Sequence, residues 1–314
     1  MKYVYLDQNK WILLAKEWYL GKGELHDLVV KIKEKIKLGE MRIVLSLVNV
    51  HEALKQHDKK RRNELLDFMI DLSNGYTISP YSNEINEFEV HNALARKVGL
   101  RECSLQNMVF GRGLPGIMGK IPSIRGNLSE EIKKNCIEKV YSIKSMGDLL
   151  KNEDLRRKFY LQSKPDTELL KKLEEARRNE RSNPDKELTN KRVMVRFMLD
   201  FILEPLAKFA TKYRLSRESF SPGDSKEELI SFFQGMPSLY CFYCLNDSRD
   251  RDLSKKIEHH DLNDLFSFSI AIPYCNVVFG EKRFVALAKQ SKLDKLYKTV
   301  ITSSLDEFKE AIFF

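Results

Sequence analysis

The stretch Asp261 to Phe284, DLNDLFSFSIAIPYCNVVFGEKRF, restricts the fold of this chain more than any other. Two acids three residues apart, Asp261 and Asp264, open it. Leu265, Phe266, Phe268, Ile270, Ala271 and Ile272 follow at the density of a buried helix. Pro273 is expected to end that helix, because the residue before a proline is pushed out of the α region. Cys275-Asn-Val-Val-Phe279 is then short, apolar and β-branched, as a buried parallel strand is. Gly280 closes the strand and Glu281 comes next. One acid therefore opens a helix, and another stands just past the C-terminal end of the following strand. That is the edge at which open α/β sheets bind ligands.

Other segments bring acids to the same kind of position. Lys2-Tyr-Val-Tyr-Leu6 reads as a strand, Asp7 follows at once, and Asn9 and Lys10 lead into a helix carrying Trp11, Leu14 and Trp18. Met41-Arg-Ile-Val-Leu-Ser46 reads as a second strand, and the helix after it carries Glu52 on its second turn. Carboxylates gathered from distant segments repel one another unless positive charge sits among them. Hard divalent cations, Mg²⁺ or Mn²⁺, are the natural occupants.

The pattern resembles the PIN-domain nucleases. Asp7-Gln-Asn9 at the end of an apolar strand resembles the first motif of that family. Ser46-Leu-Val-Asn-Val-His-Glu52 resembles the second. Asp264, the apolar helix after it and Pro273-Tyr-Cys-Asn-Val-Val-Phe-Gly-Glu281-Lys resemble the third and fourth. The likeness covers residues 1–98 and 259–314. Glu281 stands where the family usually has Asp, and Asn276 stands where some members carry an acid. The resemblance implies an α/β fold, a PIN-like parallel sheet sandwiched by helices, and a metal-dependent endoribonuclease. Asp7, Glu52, Asp264 and Glu281 would then be the catalytic residues and the ligands of Mg²⁺ or Mn²⁺, with Asp261 in reserve. Asn9, Lys10, Ser46, Asn276 and Lys282 would contact the substrate or orient those ligands. Implied partners are RNA, including structured RNA such as tRNA, and a regulatory or antitoxin-like protein, as for a toxin or defence effector; a homodimer fits the same picture. Two other readings stay open: a non-catalytic RNA-binding protein on the same fold, and a DNA nuclease using the same carboxylates.

Charge points the same way. Lysine and arginine number 54 against 45 acids, a net charge of +9, which favours a polyanionic partner. No apolar run approaches the ~20 residues needed to span a membrane. The N-terminus reads directly into a strand, so no signal peptide is expected. Five scattered cysteines, an odd number, fit a reducing compartment, and a cytoplasmic protein is expected. Cys241-Phe-Tyr-Cys244 lacks a second such pair, and its aromatic neighbours mark core thiols rather than a zinc site.

Strands and helices alternate over residues 1–98, as in a parallel sheet covered by helices. Tyr76-Thr-Ile-Ser79 reads as its third strand. Gly111-Arg-Gly-Leu-Pro-Gly116 and the glycines up to Gly126 read as a mobile surface loop, with an RNA-contacting loop carrying Arg112, Lys120 and Arg125 as the alternative. Residues 128–258 read as almost wholly helical, with Pro205 kinking or splitting a long helix over Leu188 to Leu215. The expected organisation is a nuclease domain of residues 1–99 and 259–314, with a basic helical insertion or cap of 100–258. Its lysines and arginines between Lys133 and Arg196 form either a solvated face or a surface that docks RNA.

Overall fold

The computed structural model describes residues 1–119, 129–154, 156–157, 167–182, 185–215 and 225–314. The chain starts with β1 (Lys2–Leu6), α1 (Gln8–Leu20), α2 (Glu24–Lys37), β2 (Met41–Val44), α3 (Leu47–Leu54), α4 (Lys59–Ser73), β3 (Tyr76–Ile78) and α5 (Asn83–Lys97). Next come α6 (Gln106–Val109), β4 (Phe110–Arg112), α7 (Gly113–Met118), α8 (Glu130–Tyr141) and α9 (Ile143–Leu150). A helical stretch follows, with α10 (Thr167–Arg181), α11 (Lys186–Phe201), α12 (Leu203–Tyr213), α13 (Lys226–Gln234), α14 (Pro237–Asp250) and α15 (His259–Tyr274). The chain closes with β5 (Val277–Phe279), α16 (Lys282–Gln290), α17 (Leu293–Tyr297), β6 (Val300–Thr302) and α18 (Leu305–Phe313). Helices dominate, around a small parallel sheet. None of the described helices is long and apolar enough to cross a membrane.

The sheet has four strands in the order β2-β1-β5-β6, all parallel. Tyr3 to Leu6 are all buried, without alternation, because helices cover both faces of the central strand. Trp11 and Leu14 of α1, Val29 and Ile32 of α2, and Leu66 and Phe68 of α4 join the strands in one core. Phe279 stacks on Phe308 of α18 at 4.3 Å between ring centroids.

Two compact units divide the chain. The first holds residues 1–80, 107–164 and 274–314, including the sheet; the second holds 81–106 and 165–273. This differs from the expected division at 99 and 259. The apolar side of α5, with Val90 and Leu94, is buried among Phe209, Phe233, Met236 and Leu239, so α5 belongs to the helical unit. Residues 107–150 go the other way: Met146 and Leu150 of α9 lie in the core beneath the sheet. α15 lies in the second unit up to Pro273.

β3 also departs from expectation. It pairs antiparallel with β4 in a two-stranded sheet, and touches the parallel sheet through the Leu45–Thr77 bridge. The glycine-rich segment that supplies β4 is packed rather than loose through Gly119. A Cβ on Gly116 would overlap Thr77 Oγ1 and stand 2.8 Å from the Gly111 carbonyl carbon. These glycines are there to let two backbones approach. Gly116→Ala is therefore expected to destabilise the fold by about 1–3 kcal/mol, the range for overpacking a tight contact. Urea unfolding of the variant checks this. Lys120 and Arg125 lie outside the described residues.

Pro273 does not stop its helix before it; it sits inside the last turn of α15, which runs to Tyr274. Pro205 acts as expected. A proline ring clashes with the carbonyl four residues back, and the break falls there, between Phe201 and Leu203. Part of the basic run is neither solvated nor free for RNA. Arg177 is 3% exposed and pairs with Glu174. Arg181 pairs with the buried Asp247. All five cysteines are free thiols, and Cys241 is fully buried.

Candidate active site

The C-terminal ends of the four parallel strands form one edge, and each strand runs into a helix there. Parallel pairing sets the neighbours. Tyr5 lies opposite Val44 and Leu6 opposite Phe279, so Asp7 comes beside Ser46 on one side and Gly280 on the other. Gly280 N donates to Thr302 O at 2.9 Å, which brings the end of β6 into line. Helices α1, α3, α16 and α18 begin at this edge with Asp7, Ser46, Glu281 and Ser304 as their N-caps. Their positive dipole ends therefore converge on one strip of the molecule.

Asp7 is 7% exposed, and both of its carboxylate oxygens are engaged. Oδ1 accepts from Gln8 N at 2.8 Å and Oδ2 from Glu281 N at 3.2 Å. Burial pushes the Asp7 carboxyl up from its ordinary value; the Gln8 N–H opposes this, and the charge of Glu281 adds to it. Two acids thus lie within electrostatic reach on neighbouring strands. Glu281 differs from the other three caps: Asp7, Ser46 and Ser304 each accept a backbone N–H of their own helix, whereas the half-buried Glu281 makes no side-chain cap bond. Its carboxylate is left to face something other than its own helix.

Lys10 and Lys282 flank the pair. Lys10 Nζ donates to Ser303 O at 3.3 Å and lies 4.3 Å from the Phe279 ring centroid. Burial lowers the pKa of its ammonium, Asp7 opposes that, and Lys282 adds to it. Ser46 is 4% exposed and closes a capping box with Asn49. Its Oγ donates to Asn49 Oδ1 at 2.7 Å and accepts from Asn49 N at 3.1 Å. Asn49 is fully buried, and its Nδ2 has no hydrogen-bond partner among the described residues. The Ser-x-x-Asn spacing after a strand was the sequence signal for that residue.

The remaining expected residues lie on these elements. Asn9 is exposed on the first turn of α1. Glu52 is half-buried on the second turn of α3. Asn276 is at the opposite end of β5: it takes Tyr3 N on its Oδ1 at 2.7 Å and gives its own N–H to Tyr3 O at 2.8 Å. It extends the strand pairing at the N-terminal edge and is not part of this site. Asp261 and Asp264 belong to the second unit. Asp261 is fully buried and accepts from Glu258 N at 3.0 Å, as an acid closing a helix start does. Asp264 is 8% exposed one turn later.

Among the described residues, no three or more His, Cys, Asp or Glu side chains are gathered so as to hold a metal ion. Asp7 and Glu281 still suit a hard cation of the Mg²⁺ kind, which is often held by one or two carboxylates and keeps water at its other positions. The fit is electrostatic: Asp7 is buried with the like charge of Glu281 within reach, and Lys10 opposes that charge. No family model, no curated protein and no solved structure matches this chain.

Proposed function

We propose that the chain is a divalent-metal-dependent nuclease acting on RNA, a PIN-like ribonuclease in which Asp7 and Glu281 are the working carboxylates. The observation that carries this reading is the Asp7–Glu281 pair at the C-terminal edge of a parallel sheet, flanked by Lys10 and Lys282. The resemblance to the PIN nucleases and the net charge of +9 support it as well.

Asp7 is held rigid by the N–H groups of Gln8 and Glu281, and Glu281 presents a carboxylate free of its own helix. Together they would hold Mg²⁺ or Mn²⁺. When bound, such an ion lowers the pKa of a coordinated water and offsets charge on the phosphate. Lys10 and Lys282 attract the phosphodiester towards the carboxylates, which would otherwise repel it. The N-termini of α1, α3, α16 and α18 add a positive field in which an anion is stabilised. Ser46 and Asn49 keep the start of α3 fixed beside Asp7.

The test is cleavage of total tRNA, a single-stranded RNA and a single-stranded DNA, with Mn²⁺ and with EDTA. Cleavage of an RNA, lost with EDTA and in Asp7→Asn, is the expected result. Cleavage of DNA alone would move the substrate to deoxyribonucleic acid. Salt-sensitive RNA binding without cleavage, unchanged by Asp7→Asn, would overturn the enzyme and leave a binding protein.

A further inference from the structure

The second unit contains a cavity of about 230 Å³ that the nuclease reading does not use. It is smaller than the roughly 300–1,000 Å³ of most small-molecule sites. Two helices build it by spacing. α5 contributes Phe88 and His91, and α12 contributes Pro205, Phe209 and Lys212, about one helical turn apart. Cys103 lines the cavity from the segment after α5. That segment is pinned by Asn92, whose Nδ2 donates to Cys103 O and whose Oδ1 accepts from Cys103 N, both at 2.8 Å.

The polar groups are unevenly satisfied. His91 stands edge-on to Phe209, with centroids 5.0 Å apart, and its Nε2 lies 3.1 Å from the Tyr213 hydroxyl. Its Nδ1 is buried and has no hydrogen-bond partner among the described residues. The charges differ in the same way. Lys208 sits between Glu87 and Glu204, at 2.9 Å from each. Lys212, one turn further along, has no ion pair among the described residues; its Nζ lies 5.2 Å from the Tyr213 ring centroid.

An apolar wall and a lysine with no ion pair among the described residues thus meet in one small cavity. We propose that this cavity binds a small aromatic carboxylic acid, its ring against Phe88 and Phe209 and its carboxylate on Lys212. A single negative charge suits the site better than inorganic phosphate, because the Glu87 carboxylate lines the same cavity and repels a dianion.

Cys103 and Cys136 are both exposed thiols, and only Cys103 lines the cavity. Alkylation by iodoacetamide, read at each cysteine by peptide mass spectrometry on the intact chain, therefore reports occupancy with its own control. Benzoate at millimolar concentration is expected to slow modification of Cys103 and leave Cys136 unchanged. Benzyl alcohol and inorganic phosphate at the same concentration should protect far less. Lys212→Met should raise the benzoate concentration for half-protection about tenfold, the loss of one charge-assisted bond. It should not change the weak effect of benzyl alcohol. Equal alkylation of Cys103 with and without benzoate would overturn the site. So would protection by phosphate that matches benzoate, or benzoate protection undiminished in Lys212→Met.

Discussion

Glu281→Gln is expected to lower the nuclease rate by roughly 100-fold or more, the order found when one preorganised electrostatic group leaves an active site, while the fold stays intact or becomes firmer. The two halves of this expectation come from the same charge. The Glu281 carboxylate makes no cap bond to α16, so the amide removes no hydrogen bond of its own helix. It does remove the like charge that adds to the rise burial causes in the Asp7 carboxyl. Because the folded-state pKa of Asp7 is raised, the folded protein binds that proton more tightly than the unfolded chain. Ionising Asp7 therefore costs stability: the stability is greatest below the unfolded value, about 3.9, and falls as the pH rises through the folded one. In Glu281→Gln that fall is smaller, so urea midpoints of variant and wild type should diverge as the pH rises, the variant being the more stable near neutrality. Asp7→Asn should also be inactive, but with less gain in stability. Its amide keeps an acceptor for Gln8 N–H and turns a donor towards Glu281 N–H, which now needs an acceptor. A Glu281→Gln protein that cleaves at the wild-type rate would remove the carboxylate pair from the mechanism.

The edge that carries this pair was legible because its signals are local. An apolar run that ends in an acid or a serine is a strand running into an N-cap, and Asp7, Ser46 and Glu281 all stand at such junctions. The Pro205 break was legible for the same reason, since its cause lies within one turn of the chain. What the sequence could not give is what each element packs against. α5 has an apolar face whichever unit covers it, and only the fold puts Phe209 and Phe233 there. Arg177 and Arg181 look like part of a solvated basic run until Glu174 and the distant Asp247 bury them. Asn276 is expected at the site because it stands where some PIN nucleases carry an acid. A strand carries its two ends apart, however, and the side chain is used up on Tyr3. Gly111 and Gly116 read as looseness, although in the fold they mark the closest approach of two backbones.

Glu89→Ala is expected to cost the second unit several kcal/mol, because this one side chain caps a helix from 149 residues away. α14 starts badly on its own. Its N-cap is Met236, which has no side-chain acceptor, and Pro237 at the first position offers no N–H. The next two N–H groups, of Ser238 and Leu239, belong to fully buried residues that water does not reach. Glu89, itself fully buried on α5, fills the gap. Its Oε1 accepts from Ser238 N at 2.9 Å, and its Oε2 accepts from Ser238 N at 3.0 Å and Leu239 N at 3.2 Å. A carboxylate there also meets the positive end of the helix. Alanine strands both donors at about 1–3 kcal/mol each and leaves a cavity beside Leu239. Glu89→Gln keeps an acceptor and loses the charge, so it should fall between alanine and wild type. Urea unfolding ranks the three proteins, and hydrogen exchange at Ser238 and Leu239 locates the effect. The two amides should lose protection in Glu89→Ala before the interior of α14 does. Wild-type protection at both amides in Glu89→Ala would mean that the start of α14 is held by its packing, and that the carboxylate is dispensable.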